Sequence, residues 1–322
     1  MLTIWCNMQF TGSALELLEE GTRGHELVFP EGLTTSSLAA AGRDAALAGA
    51  DIAFGQPDAG SVLEIARLRW VHLTSAGYTR YDTPEFRAGA QRQGLLLSNS
   101  SSVYSEPCAE HVFAFMLANA RRLDVARDVQ LGDRSWPTMP IRARSRLLLG
   151  QRVVILGYGA IARRLVELLA PFSVKIAALR RRPAGDEGVE MIGEEALPGA
   201  LAEADHVVNI LPDNAGTRGF FSARLFDAMK PGAVFYNIGR GTTVDQEALI
   251  ARLESGRLAA AWLDVTEPEP LPPGHALWKA PNCFITPHTA GGHDAEFERL
   301  VGHFLGNFER FNAGRELVDR VM

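Results

Sequence analysis

Between Val153 and Arg182 the chain passes from an apolar run, Val153-Val154-Ile155-Leu156, into Gly157-Tyr158-Gly159-Ala160-Ile161-Ala162. A helix-like stretch and a second apolar run, Val174–Leu179, follow. Strand, glycine turn, helix and strand in that order make the βαβ unit that binds dinucleotides. Gly157 permits the tight turn, and Gly159 lets backbone approach a pyrophosphate held by amides at the helix start, Ala160 and Ile161 among them. Ala162 stands at the third glycine position, which the fingerprint tolerates. The second strand ends in Arg180-Arg181-Arg182. An acid there would hydrogen-bond a ribose 2′-hydroxyl, whereas arginines suit a 2′-phosphate. The unit therefore calls for a nicotinamide cofactor, NADP(H) in preference to NAD(H).

A chain of 322 residues has room for two domains, and 47% hydrophobic residues suffice for two cores. A net charge of −6 argues against a general binder of nucleic acid or acidic membranes. The three cysteines, Cys6, Cys108 and Cys283, are far apart and odd in number. They fit a reducing compartment and offer neither a disulfide framework nor a metal-ligand pair. The N-terminus lacks the pattern of a signal peptide, and no apolar run is long enough to span a bilayer, so a cytoplasmic location is expected.

Short apolar runs alternate with helical patterns along the first hundred residues. Leu2–Trp5, Glu26–Phe29, Asp51–Phe54, Trp70–Leu73 and Leu95–Leu97 read as strands, and Ser13–Glu20 and Leu38–Ala48 as helices. Glu106–Leu123 reads as one long amphipathic helix with Pro107 in its first turn. Arg134–Pro140 reads as irregular. Beyond Leu147 the strands expected are Val153–Leu156, Val174–Leu179, His206–Leu211, Ala233–Ile238, Ala259–Leu263 and Cys283–Thr286, with a helical tail over Ala295–Asn312. Alternating strands and helices predict parallel α/β sheets.

Three segments fall at predicted strand ends in the second region: Asn237–Gly241, Leu263–Pro270 and Thr286–Gly292. Ligands of open α/β sheets bind beyond the carboxyl ends of strands. Together these segments bring a fixed cation, carboxylates and an imidazole. Hydride transfer to a 2-oxo acid needs such parts. Arg240 offers a bidentate fork to the substrate carboxylate. The carbonyl oxygen gains charge as hydride arrives and then needs a proton, for which His288 is the natural donor. A partner carboxylate such as Glu269 would favour the imidazolium and orient the ring. No metal is required.

These motifs, in this order, resemble the D-isomer-specific 2-hydroxyacid dehydrogenase family, most nearly its NADP-preferring glyoxylate/hydroxypyruvate reductases. The match runs from about Trp70 to the C-terminus and is densest from Val207 to Gly292. It includes Ser98-Asn99 with Ala109-Glu110-His111, the turn Gly157–Ala162, Leu211-Pro212 with Thr217, Met229–Ala233, Asn237–Gly241, Leu263–Leu271 and Thr286–Gly292. The resemblance implies that Arg240 binds substrate, that Glu269 pairs with the catalytic histidine His288, and that Asp264 lies near the nicotinamide carboxamide. It implies that Ser75, Ala76 and Gly77 hold the substrate carboxylate through backbone amides. Gly157, Tyr158, Gly159, Ala160, Ile161, Arg180, Arg181, Leu211, Pro212, Thr217, Ile238, Gly239, Asp264, His288, Ala290 and Gly291 would line the cofactor.

The resemblance further implies two Rossmann-like or flavodoxin-like domains that close on the ligands. The cofactor domain, 100–289, would be inserted in a discontinuous substrate domain, 1–99 and 290–322. A homodimer is expected, with the long helix and Arg134–Pro140 at its interface. His111 reads as structural. Ser173 stands where the family often has glycine, and the first seventy residues match weakly. Two other functions remain open: a phosphoglycerate dehydrogenase-like enzyme, and a cofactor-sensing co-repressor that binds peptide partners.

Overall fold

Alternation along the first strands splits their side chains between two faces, and both faces are buried. In β1 (Thr3–Cys6) Ile4 and Cys6 join one apolar cluster while Trp5 joins another. In β3 (Ile52–Gly55) Ile52 and Phe54 take the first and Ala53 the second. A sheet covered on both sides is the parallel kind. With β2 (Glu26–Val28), β4 (Trp70–Leu73) and β5 (Leu96–Ser98) these strands make a parallel sheet ordered β2-β1-β3-β4-β5. The helix Glu296–Asn312 buries Val301, Phe304 and Phe308 in the first cluster. Phe304 stacks on Phe54 at 4.2 Å and on Trp70 at 5.4 Å. Burying one such ring contributes roughly 1.5–3 kcal/mol. This is a computed structural model, and it describes residues 1–181, 185 and 187–322.

The chain divides into two units, Met1–Tyr104 with His293–Met322, and Ser105–Gly292. The second contains β6 (Arg152–Leu156), β7 (Lys175–Leu179), β8 (Glu190–Ile192), β9 (His206–Asn209), β10 (Val234–Asn237), β11 (Ala260–Leu263) and β12 (Cys283–Ile285). Its sheet is also parallel, ordered β12-β11-β10-β9-β6-β7-β8. Strand order reverses between β6 and β9, the point where open α/β sheets receive ligands.

The mixed α/β class and the parallel sheets are as the sequence predicts, but three local readings are corrected. Leu38–Ala48 does not form a helix. Only Ala45–Gly49 turns, as a 3-10 segment capped by the Asp44 carboxylate, and Leu38 stays 39% exposed. Leu47 is the one fully buried side chain between 38 and 48, too little of an apolar face for helical spacing to stabilise a helix. The long helix starts at Ser101, so Pro107 lies inside it. Glu190–Ile192, too short to announce itself by alternation, pairs with β7 as an edge strand. No described helix is long and apolar enough to cross a membrane.

Candidate active site

The glycine turn leaves β6 with Gly157 at φ +94°. A Cβ there would sit 3.1 Å from the Ile210 carbonyl oxygen, so sterics and backbone conformation both select glycine. Gly159 caps the helix Ala160–Leu169, and nothing lies within 4 Å of where its Cβ would be. Backbone N–H groups at this helix start can therefore meet an anion closely. Beside the turn opens a cavity of about 510 Å³, lined by Gly157, Tyr158, Leu179, Arg180, Arg181, Leu211, Pro212 and Thr217 among others. All of these but Leu179 are residues the sequence assigned to the cofactor. Arg182 lies outside the described residues. A hollow of about 850 Å³ at the opposite end of β6 and β7 contains none of the predicted site residues.

The loop after β10 comes close to the one after β9. A Cβ on Gly239 would lie 2.6 Å from the Leu211 carbonyl oxygen, so only glycine fits. Ile238 is buried, and its amide donates to the Asn209 carbonyl. Arg240 follows, half-buried, with Nη1 donating to the Gly239 carbonyl at 2.6 Å. Among the described residues no carboxylate ion-pairs with Arg240, so the rest of its fork is available to an anion. Its backbone carbonyl is held by Asn237 Nδ2 at 3.2 Å and Thr243 Oγ1 at 2.7 Å, and Asn209 Nδ2 donates to both Asn237 and Thr243. Sequence reasoning missed this buried network. Its signal was an asparagine closing an apolar strand twice, at Asn209 and Asn237.

His288 and Glu269 meet as predicted. Imidazole Nδ1 shares a hydrogen bond with Glu269 Oε2 at 2.8 Å, and the Thr266 amide donates to Oε1 at 3.0 Å. Burial pushes the Glu269 carboxyl up, but hydrogen bonds from His288 and Thr266 and the charges of His288 and Arg240 bring it below its ordinary value. With Nδ1 engaged, Nε2 is the nitrogen left for chemistry. His288 has φ +53°, a left-handed backbone that costs a non-glycine residue about 1–3 kcal/mol.

Asp264 is what over-determines that conformation. It is 2% exposed, and its carbonyl accepts from the His288 amide at 2.9 Å. Its carboxylate accepts from the Thr289 amide at 2.8 Å, the Ala290 amide at 3.0 Å and Thr286 Oγ1 at 2.6 Å. Three hydrogen bonds fill most of the four or so lone-pair positions of a carboxylate. The geometry thus gives Asp264 a share in shaping the His288 loop, beside the nicotinamide contact its sequence position suggests. His111 borders the same cluster, with Nε2 3.1 Å from Thr286 Oγ1 and 3.6 Å from Asp264 Oδ1. Burial lowers its pKa against the pull of Asp264. Gly291 is half-buried at the end of the loop.

In the other unit, Ser75, Ala76 and Gly77 follow β4. All three of their carbonyls are occupied: the Ser100 amide donates to Ser75 at 3.1 Å, Asn99 Nδ2 to Ala76 at 2.7 Å and Ser75 Oγ to Gly77 at 2.6 Å. Among the described residues their amides have no acceptor. Successive free N–H groups of this kind make an anion-binding concavity.

The chain belongs to the D-isomer specific 2-hydroxyacid dehydrogenase family. Residues 113–290 match the model of that family's NAD binding domain. An uncharacterized protein in the proB 3′ region of Corynebacterium melassecola is 34% identical over 239 residues, 73% of this chain and 77% of that protein. A glyoxylate reductase/hydroxypyruvate reductase of Mus musculus is 35% identical over 230 residues, 69% of this chain and 67% of that protein. Among solved structures, a D-isomer specific 2-hydroxyacid dehydrogenase from Xanthobacter autotrophicus Py2, in complex with NADPH and MES, superposes with a TM-score of 0.80. It is 26% identical and covers 100% of this chain and 98% of that one. Family membership makes the chain an NAD(P)-dependent oxidoreductase of 2-oxo and 2-hydroxy acids.

Proposed function

We propose that this dehydrogenase reduces glyoxylate and hydroxypyruvate, with NADPH preferred over NADH. The observation that carries the reading is the His288–Glu269 pair at 2.8 Å, placed at the carboxyl ends of the strands with Arg240, which has no carboxylate partner among the described residues. Arg240 takes the substrate carboxylate in its free fork. His288 donates the Nε2 proton to the carbonyl oxygen, and Glu269 holds the ring and balances its charge. The amides of Ser75, Ala76 and Gly77 contribute to carboxylate binding.

The glycine turn, the start of the helix Ala160–Leu169 and the 510 Å³ cavity fit a dinucleotide. Bound there, a reduced nicotinamide supplies the hydride. The arginine-rich end of β7 in the cavity wall favours a 2′-phosphate over a 2′-hydroxyl, and the Xanthobacter relative was crystallised with NADPH. The mouse relative carries the substrate preference in its name. Leu131, Trp136 and Met139 expose 65%, 86% and 68% of their surfaces. Large apolar side chains exposed along one stretch of the chain support association into a homodimer.

The test is consumption of NADPH and of NADH with glyoxylate, hydroxypyruvate, pyruvate and phosphohydroxypyruvate. Rapid NADPH loss with the first two is expected. Preference for phosphohydroxypyruvate would instead point to a phosphoglycerate dehydrogenase. Tight NADPH binding without turnover of any acid would point to a sensor.

A further inference from the structure

We propose that Arg181 is the residue that reads the cofactor 2′-phosphate, and that Glu187 is a positioning residue that withholds Arg180 from that role. The inference rests on the NADPH reading above and deepens it by separating two neighbouring arginines.

Both arginines follow β7 at the wall of the same cavity, but their surroundings differ. Arg180 Nη1 lies 3.2 Å from Glu187 Oε1, and the Glu187 side chain is only 3% exposed. The other oxygen of that carboxylate accepts from the Gly185 amide at 2.8 Å. The Glu187 carbonyl accepts from the hydroxyl of Tyr158, which directly follows Gly157 of the glycine turn, at 2.7 Å. Glu187 therefore ties the end of β7, its own loop and the cofactor turn to one another. Turning Arg180 toward a phosphate would take a charged hydrogen-bond partner from a buried carboxylate, which is costly. The acid that an NAD-binding protein presents at this strand end is here seven residues past Arg180, and it faces the arginine.

Arg181 is exposed, and among the described residues it has no carboxylate partner. Its Nη1 would lie 3.9 Å from a Cβ on Gly216, so the guanidinium reaches toward the turn that forms another wall of the cavity. A planar fork with free donors at the rim suits a bidentate phosphate contact. Arg180, already charge-paired, gives the loop rigidity instead.

The experiment measures kcat/KM for NADPH and NADH in the wild type and in R180Q, R181Q, R182Q, E187Q and R180Q/E187Q. R181Q is expected to lower the NADPH-to-NADH preference about 10- to 100-fold, the range for losing charge-assisted hydrogen bonds. R180Q and E187Q are expected to raise KM for both cofactors, with kcat kept and the preference held within about threefold. The double variant is expected to be no worse than either single one, because the two side chains act as one pair. A preference lost in R180Q or R182Q but kept in R181Q overturns the proposal, as does simple additivity of R180Q and E187Q. A wild type without NADPH preference overturns the cofactor reading and this inference with it.

Discussion

The two sheets, of five and seven strands, follow the same parallel rule and carry different groups beyond the carboxyl ends of their strands. Each is fully parallel and reverses strand order once, between β1 and β3 in the first unit and between β6 and β9 in the second. In the second unit the groups beyond the strands are a glycine turn and the side chains of Arg240, Glu269 and His288. In the first unit they are backbone. Asn7 after β1 accepts from the Gln56 amide at 3.0 Å, and Gln56 Nε2 after β3 donates to Ser75 Oγ at 2.9 Å. Gln56 is 2% and Ser75 3% exposed, so both serve to hold the loop whose amides stay open. A site made of side chains states its chemistry in the sequence. A loop that offers only backbone N–H groups leaves just its tethers there.

The contrast breaks most visibly at His288. His288→Ala should cut kcat/KM for 2-oxo acid reduction by about 10²- to 10⁴-fold, the usual contribution of a general acid. NADPH affinity, followed by cofactor fluorescence, should stay near wild type. Near-normal turnover would sink the assignment. The corresponding blow to the first unit is structural. Phe304→Ala removes a ring stacked on Phe54 and Trp70, and should cost about 3–5 kcal/mol in denaturant unfolding. A loss under about 1 kcal/mol would show that this cluster repacks.

Acid sharpens the comparison, because each sheet buries a histidine. His206 in β9 bonds Tyr236 and Gln151, and burial lowers its pKa to about 4. His72 in β4 bonds Ser98, and burial likewise lowers it well below the usual range. The unfolded chain takes up protons near pH 6.5, while folded His206 refuses one until about 4. Stability attributable to His206 is thus complete above that window and is lost as pH falls through it, by about 3 kcal/mol at most. His206→Gln should flatten the fall in unfolding free energy between pH 6.5 and 4. An unchanged slope would move the acid sensitivity elsewhere.

The smallest expected effect tests the backbone site. Gln56→Leu keeps volume but removes the tether on Ser75. It should raise KM for the 2-oxo acid about tenfold, the value of one or two hydrogen bonds, with KM for NADPH held. Equal rises in both would deny the first-unit loop a role in substrate binding.

The dinucleotide turn was legible because two steric demands, a positive φ and a close carbonyl, leave only glycine at Gly157. The pairing of Glu269 with His288 was legible because both lie beyond the ends of apolar strands in one parallel sheet. Leu38–Ala48 was misread because spacing carries no information about whether a face will be covered. Glu187 went unremarked because its partner lies seven residues away across a turn, where no periodicity connects them.

By itself, then, the sequence determined the alternation of strands and helices, the parallel character of both sheets, the place of the glycine turn and the residue types gathered at the strand ends. These follow from local sterics and from the period of apolar residues. Only the tertiary structure decided that His288 adopts a left-handed backbone under the grip of Asp264, and that the open amides of Ser75–Gly77 rest on Gln56 and Asn99. It also decided that Arg180 is held by Glu187 while Arg181 is not. Those outcomes depend on hydrogen bonds between residues distant in the chain, and burial makes each of them costly to leave unmade.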